Sequence, residues 1–215
     1  AQFPLFLWLV TIGTLMFGLG GALLGIERGY NIWGRLLVAA MPAIGGGAVR
    51  DLMIGGPRLP HYFIGDPTLP LAILVIVLVS SALMGVFPSW VKSRAFYKVM
   101  FYADVIGSAV IATFGAMVAL NANVPWVWVP VFAAISCAGG GLLLDIVTNH
   151  HPRSFRGRLF EDEERGVLSG VTLLAFLWVA NQFESPSLIV YTGVIAAVVL
   201  NLTVRFQREA LAKYY

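Results

Sequence analysis

The chain has 215 residues, 59% of them hydrophobic and only 12% charged, where soluble domains carry about 25% charged residues. With a mean hydropathy of +0.83, it is excluded from the water-soluble globular classes. Apolar runs of about 20 residues fit helices crossing a roughly 30 Å hydrocarbon core, not the alternating ten-residue strands of a barrel. The net charge of +3 does not indicate a nucleic-acid partner, because in a membrane protein a basic balance records topology.

Seven membrane helices are predicted, over residues 4–26, 35–54, 68–90, 98–120, 126–148, 167–181 and 187–206. The opening "AQFPLFLWLV" lacks a basic n-region and a small-residue cleavage pattern, so it is read as the first span and not as a signal peptide. Span 2 carries "MPAIGGGAVRDL", three adjacent glycines followed by a charged pair. Span 4 holds Asp104, Ser108 and Thr113, and span 5 repeats the glycine theme as "CAGGGLLLDI". Its Cys137 is the single cysteine and is expected to be a buried, inert thiol. Connections are short, the longest being 55–67 and 149–166.

Alternating the sides of the membrane places Arg28, Arg35, Lys92, Arg94, Lys98, Arg153, Arg156, Arg158, Arg165, Arg205, Arg208 and Lys213 on one side. Only Arg50 and Arg58 fall on the other. The positive-inside rule then puts the N-terminus outside and the C-terminus in the cytoplasm. Adding or dropping a span in mid-chain destroys that asymmetry.

The triplets Gly45–Gly46–Gly47 and Gly139–Gly140–Gly141 lie 94 residues apart, and the same offset carries Asp51 onto Asp145 and Gly21 onto Gly115. The chain is therefore read as one transmembrane domain, 1–215. It comprises a first repeat (about 4–90), a second (about 98–184) and a seventh helix (about 187–206) without counterpart. An odd number of spans per repeat inverts the copies about an axis in the membrane plane, an architecture whose sites lie at the midplane between repeats on discontinuous helices. Two departures from the internal symmetry stand out: Leu144 where an arginine would echo Arg50, and Val10 where an aspartate would echo Asp104.

Glycine costs a helix roughly 0.5–1 kcal/mol relative to alanine, so two matched triplets call for a reason. Breaks in spans 2 and 5 beside a polar path are expected, since freed backbone groups are tolerated in a membrane only against protein or water. Close helix approach is the alternative use of small residues. Arg50 and Asp51 are adjacent, and neighbours on a helix do not face each other, so each is expected to pair elsewhere. Asp145 and Asp104 are pathway candidates because intramembrane carboxylates are costly. The serines and threonines of the spans are expected to bond back to their own helices, with Ser108 and Thr113 the better candidates for a path. Two intramembrane aspartates raise the question of a protease dyad. Inversion sends Asp51 and Asp145 to opposite sides of the glycines, roughly 12 Å apart at 1.5 Å per residue, against about 3 Å in a dyad. No enzyme is expected. His61, His150 and His151 are placed in loops without chelating spacing, and Trp8, Trp33, Trp90, Trp126 and Trp128 near span ends suit an interfacial belt. Arg153, Arg156 and Arg158 are candidate contacts for lipid headgroups.

The stretch "IGGGAVRDLMIGGPRLPHYFIGDP", with "FYADVIGSAVIATFGAMVAL" and "CAGGGLLLDIVTNHHP" in the same order and spacing, resembles the prokaryotic members of the trimeric intracellular cation channel (TRIC) family over nearly the whole chain. The resemblance implies an all-α protein of the prokaryotic inner membrane, a homotrimer with one pore per protomer, permeable to K⁺ and Na⁺ and without a cofactor. Its implied pore lining is Gly45, Gly46, Gly47, Gly139, Gly140 and Gly141, with Arg50, Asp51 and Asp145 nearby. Inverted repeats with broken helices are shared with secondary transporters, and a carrier of a small solute such as an amino acid is the alternative.

Overall fold

The structure, a computed structural model, describes residues 4–55, 67–86, 93–149, 162–180 and 186–211. Its regular elements there are all helical. They run α1 (Pro4–Glu27), α2 (Ile32–Ala40), a π-helical turn (Met41–Gly45), α3 (Gly46–Ile54), α4 (Thr68–Val86), α5 (Arg94–Asn121), a 3-10 turn (Trp126–Trp128), α6 (Val129–Val147), α7 (Asp162–Ala180) and α8 (Pro186–Leu211). Because α2, the π turn and α3 follow one another without a gap, they form one pass, and the seven expected passes are present. Val10–Glu27, Ile32–Ile54, Met100–Asn121 and Trp126–Val147 are long and apolar enough to cross a membrane, and Pro70–Leu83 and Tyr191–Phe206 are shorter apolar helices.

Three helices begin three or more residues earlier than hydropathy suggests: α2 starts at Ile32, not 35, α5 at Arg94, not 98, and α7 at Asp162, not 167. The Ser93 side chain caps α5 by accepting from the Phe96 amide at 3.2 Å, and the acidic opening of α7, Asp162–Glu163–Glu164, suits the positive end of a helix dipole. Such polar first turns are invisible to a search for apolar runs.

The offset of 94 residues is written into the backbone. Four described residues have a positive φ, and they form two pairs at that offset: Gly29 with Asn123, after α1 and α5, and Gly55 with Asn149, after α3 and α6. Glycine and asparagine are among the residues that reach positive φ at least cost. Packing repeats the theme. In the first half Ala22 and Ala39 are fully buried against Ile73 and Val77; in the second, Ala116 and Ala133 stand at the equivalent places in a core with Ala112, Val129 and Leu173. Gly21 abuts the backbone of Val38 and Ala39 on α2, as Gly115 abuts Phe132 and Ser136 on α6.

The eighth helix has no such partner. It packs on α5 and α7, with Val194 in a small core beside Val10 and Val110. Fully buried Asn201 stitches it to α7 by donating 2.9 Å to the Ser169 hydroxyl, and also donates 2.7 Å to the Ala197 carbonyl. The side chains of Phe101, Tyr102 and Phe206 cluster at its far end, where the Arg205 guanidinium lies 5.2 Å from the Phe101 ring centre.

Candidate functional site

The two glycine triplets meet. Met41 and Pro42 lie against Gly140, while Gly46 lies against Ile135 and Ser136, so the second pass and α6 cross in antiparallel directions. A Cβ on Gly140 would fall 2.5 Å from the Met41 oxygen and 2.9 Å from that of Pro42, and one on Gly46 would overlap the carbonyls of Ile135 and Ser136. Gly45 and Gly139 complete the contact, each within 3.2–3.3 Å of a glycine Cα on the other helix if given a Cβ. These four positions require glycine because two main chains touch there. The remaining two do not: nothing among the described residues comes within 4 Å of a Cβ on Gly141, and only the Arg50 Nη2, at 3.7 Å, approaches one on Gly47.

The triplets differ in local structure. The first sits where a π-helical turn hands over to α3, a geometry in which an inserted residue disturbs the i→i−4 ladder. The second lies inside an α-helix continuous from Val129 to Val147, so the broken span expected there is corrected to an unbroken one. Three glycines weaken a helix without ending it, and here the close approach of the second pass supplies the packing that holds the turn.

Arg50 and Asp51 are both buried, and they pair with each other: Arg50 Nη2 lies 2.7 Å and Nε 2.8 Å from the same Asp51 oxygen. This corrects the expectation of separate partners. The long arginine side chain folds back along the helix, which spacing of Cα atoms alone does not reveal, and burial leaves the carboxylate as the compensating charge. Two further groups hold the guanidinium. Nη1 donates to the Ser136 hydroxyl at 3.4 Å, and the ring of Phe114 lies 5.4 Å from Cζ. Ser136 itself donates to the Phe132 carbonyl at 2.7 Å, in the space that Gly115 leaves by lacking a side chain. Neither Ser136 nor Phe114 was legible as a partner of Arg50; the available signal was only that both fall beside Gly115.

Asp145, the counterpart of Asp51, is 8% exposed. Asp104 is half exposed and lies 3.5 Å from Arg165 Nη2. Arg165, placed by hydropathy in a cytoplasmic loop, belongs instead to the first turns of α7 and is 1% exposed. Ser108 and Thr113 are buried, and their hydroxyls donate to the Asp104 and Ala109 carbonyls one turn back, as do Ser80 and Ser169 to their own helices. Cys137 is buried. Trp8, Trp33, Trp126 and Trp128 are all more than half exposed, as lipid- or interface-facing rings are. Arg153, Arg156, Arg158, His61, His150, His151 and Trp90 lie outside the described residues.

Comparison with known proteins bears on both halves. The family model described as "Glycine transporter" matches twice, at residues 7–85 and 101–180, with starts 94 residues apart. A UPF0126 membrane protein of Deinococcus radiodurans is 31% identical over 170 residues, covering 78% of this chain and 75% of that one. The UPF0126 inner membrane protein YadS of Escherichia coli is 29% identical over 154 residues, covering 71% and 70%. A crystal structure of the TRIC trimeric intracellular cation channel orthologue from Rhodobacter sphaeroides superposes with a TM-score of 0.74 at 22% identity, over 93% of this chain and 96% of that one. The resemblance carried by the glycine motifs is thus borne out in the fold. This chain is an integral membrane protein of the glycine-transporter family, built on the fold of the TRIC channels.

Proposed function

We propose that the protein is a cation channel for K⁺ and Na⁺, each protomer of a homotrimer carrying its own pathway through the glycine crossing. The observation that carries this reading is the pair of glycine faces left unfilled by helix packing, at Gly47 and Gly141, on either side of the contact made by Gly45, Gly46, Gly139 and Gly140. A cation passing there meets main chain uncovered by side chains at Gly47 and Gly141, with Asp51 on one side and Asp145 on the other to favour positive charge. Arg50, held in front of Gly47, closes that side, and a conducting state requires its guanidinium to move. The likeness to TRIC channel structures supports the same reading.

In this proposal no cofactor takes part. The protein lies in the prokaryotic inner membrane with its N-terminus outside and C-terminus in the cytoplasm, and Arg153, Arg156 and Arg158 meet lipid headgroups on the cytoplasmic side. The family's description favours a second reading, a carrier for a small amino acid. Planar-bilayer recording of the purified protein in a KCl gradient separates the two. Discrete current steps reversing toward the K⁺ equilibrium potential support the channel; silent bilayers together with saturable glycine uptake by proteoliposomes refute it in favour of the carrier.

A further inference from the structure

The two halves of the crossing are matched in backbone and unmatched in charge. Gly47 and Gly141, Arg50 and Leu144, and Asp51 and Asp145 are counterparts at the 94-residue offset. On the first side Arg50 reaches back over Gly47 and is held by Asp51, Ser136 and Phe114. The counterparts of the last two are Pro42 and Gly20, which offer neither a hydroxyl nor a ring, and the counterpart of Arg50 is the aliphatic Leu144. The space before Gly141 accordingly has no described atom within 4 Å of a Cβ. The second pass and α6 run antiparallel at their contact. The ends of α3 and α6 therefore point to opposite faces of the membrane, and the arginine belongs to one face alone.

We propose that the pathway is barred on one side only and that its cation current rectifies, flowing less readily when cations enter from the face at which α3 ends. This inference rests on the channel reading. When it moves off Gly47 to open the path, the Arg50 guanidinium stays at that mouth and offsets the charge of Asp51, whereas Leu144 brings no such charge beside Asp145 at the other. A potential of a few kT is enough to change entry by about tenfold, so a current ratio of at least about twofold at equal and opposite voltages is the expected size.

The test is single-channel recording in symmetric KCl. Because insertion is random, the wild-type ratios should fall into two reciprocal groups. In R50Q/D51N/D145N, which neutralises the crossing on both sides, they should collapse to one group near unity. In L144R, which supplies the missing arginine beside Asp145, they should also approach unity, with a lower conductance. A linear wild-type current overturns the inference while leaving the channel standing, and so does an unchanged ratio in R50Q/D51N/D145N or in a conducting L144R. Wild-type bilayers that never conduct overturn the channel itself and this inference with it.

Discussion

Gly13 and Gly107 touch: a Cβ on Gly13 would lie 3.2 Å from the Gly107 Cα, and one on Gly107 would lie 3.4 Å from the Gly13 Cα. They are also counterparts at the 94-residue offset. A residue in contact with its own equivalent marks the axis that relates two copies, so the axis between the repeats passes between α1 and α5 at this point. Substitution by leucine at either position inserts bulk at one shared place. G13L and G107L should each destabilise the protein by about 1–3 kcal/mol, and the double variant should depart from the sum of the two. Unfolding in detergent micelles measures all three; strictly additive losses would separate the two sites.

The six triplet glycines should divide by their surroundings. G46A and G140A drive a methyl into a facing main chain, and each should cost about 1–3 kcal/mol. G141A meets nothing within 4 Å in an α-helix and should stabilise by roughly 0.5–1 kcal/mol, the intrinsic preference for alanine. Thermal unfolding of the three variants in one detergent checks the order; a G141A as damaging as G140A would contradict the open face.

Arg50 is 5% exposed and its partner Asp51 9%. Removing one charge strands the other. R50L or D51L alone should cost about 3–5 kcal/mol, while R50L/D51L should recover much of that loss. The comparison is a double-mutant cycle by chemical unfolding, and equal losses in single and double variants would show that the pair does not act as a unit.

Asp104 and Arg165 sit at 3.5 Å with the aspartate half exposed. Because Arg165 is 1% exposed, D104N takes a compensating charge from a buried guanidinium and should cost about 1–3 kcal/mol, more than a surface pair would. N201A, which deletes two donated hydrogen bonds at a fully buried position, should cost about 1–3 kcal/mol and loosen α8. Amide hydrogen exchange along α8 reports the second effect, which should be absent in D104N.

The spans, the offset and the glycine pairs were legible because they depend on composition and spacing, which the chain states directly. What escaped depends on side-chain reach. Adjacent residues on a helix diverge at Cβ, yet Arg50 bends back to Asp51 over its own flexible stem. The apolar run begins only at Val167, which leaves Arg165 in a loop by hydropathy, although the acidic residues just before it suit the start of the helix that buries it. The two triplets read alike and behave differently: the first adjoins a π-helical turn beginning with Met41–Pro42, whereas the second continues an α-helix from Cys137 and Ala138. Proline and glycine in sequence mark where a helix is weak, and tertiary contact decides whether it yields.

The matched turns after α1 and α5 carry a consequence for origin. Gly29 and Asn123 each bond the carbonyl three residues back, so the side chain has diverged where the chain path has not. A half-length ancestor able to insert in either direction would already have possessed this turn, the self-touching glycine and the crossing motif. Two such molecules, lying head to tail, could have assembled this core before any gene fusion joined them.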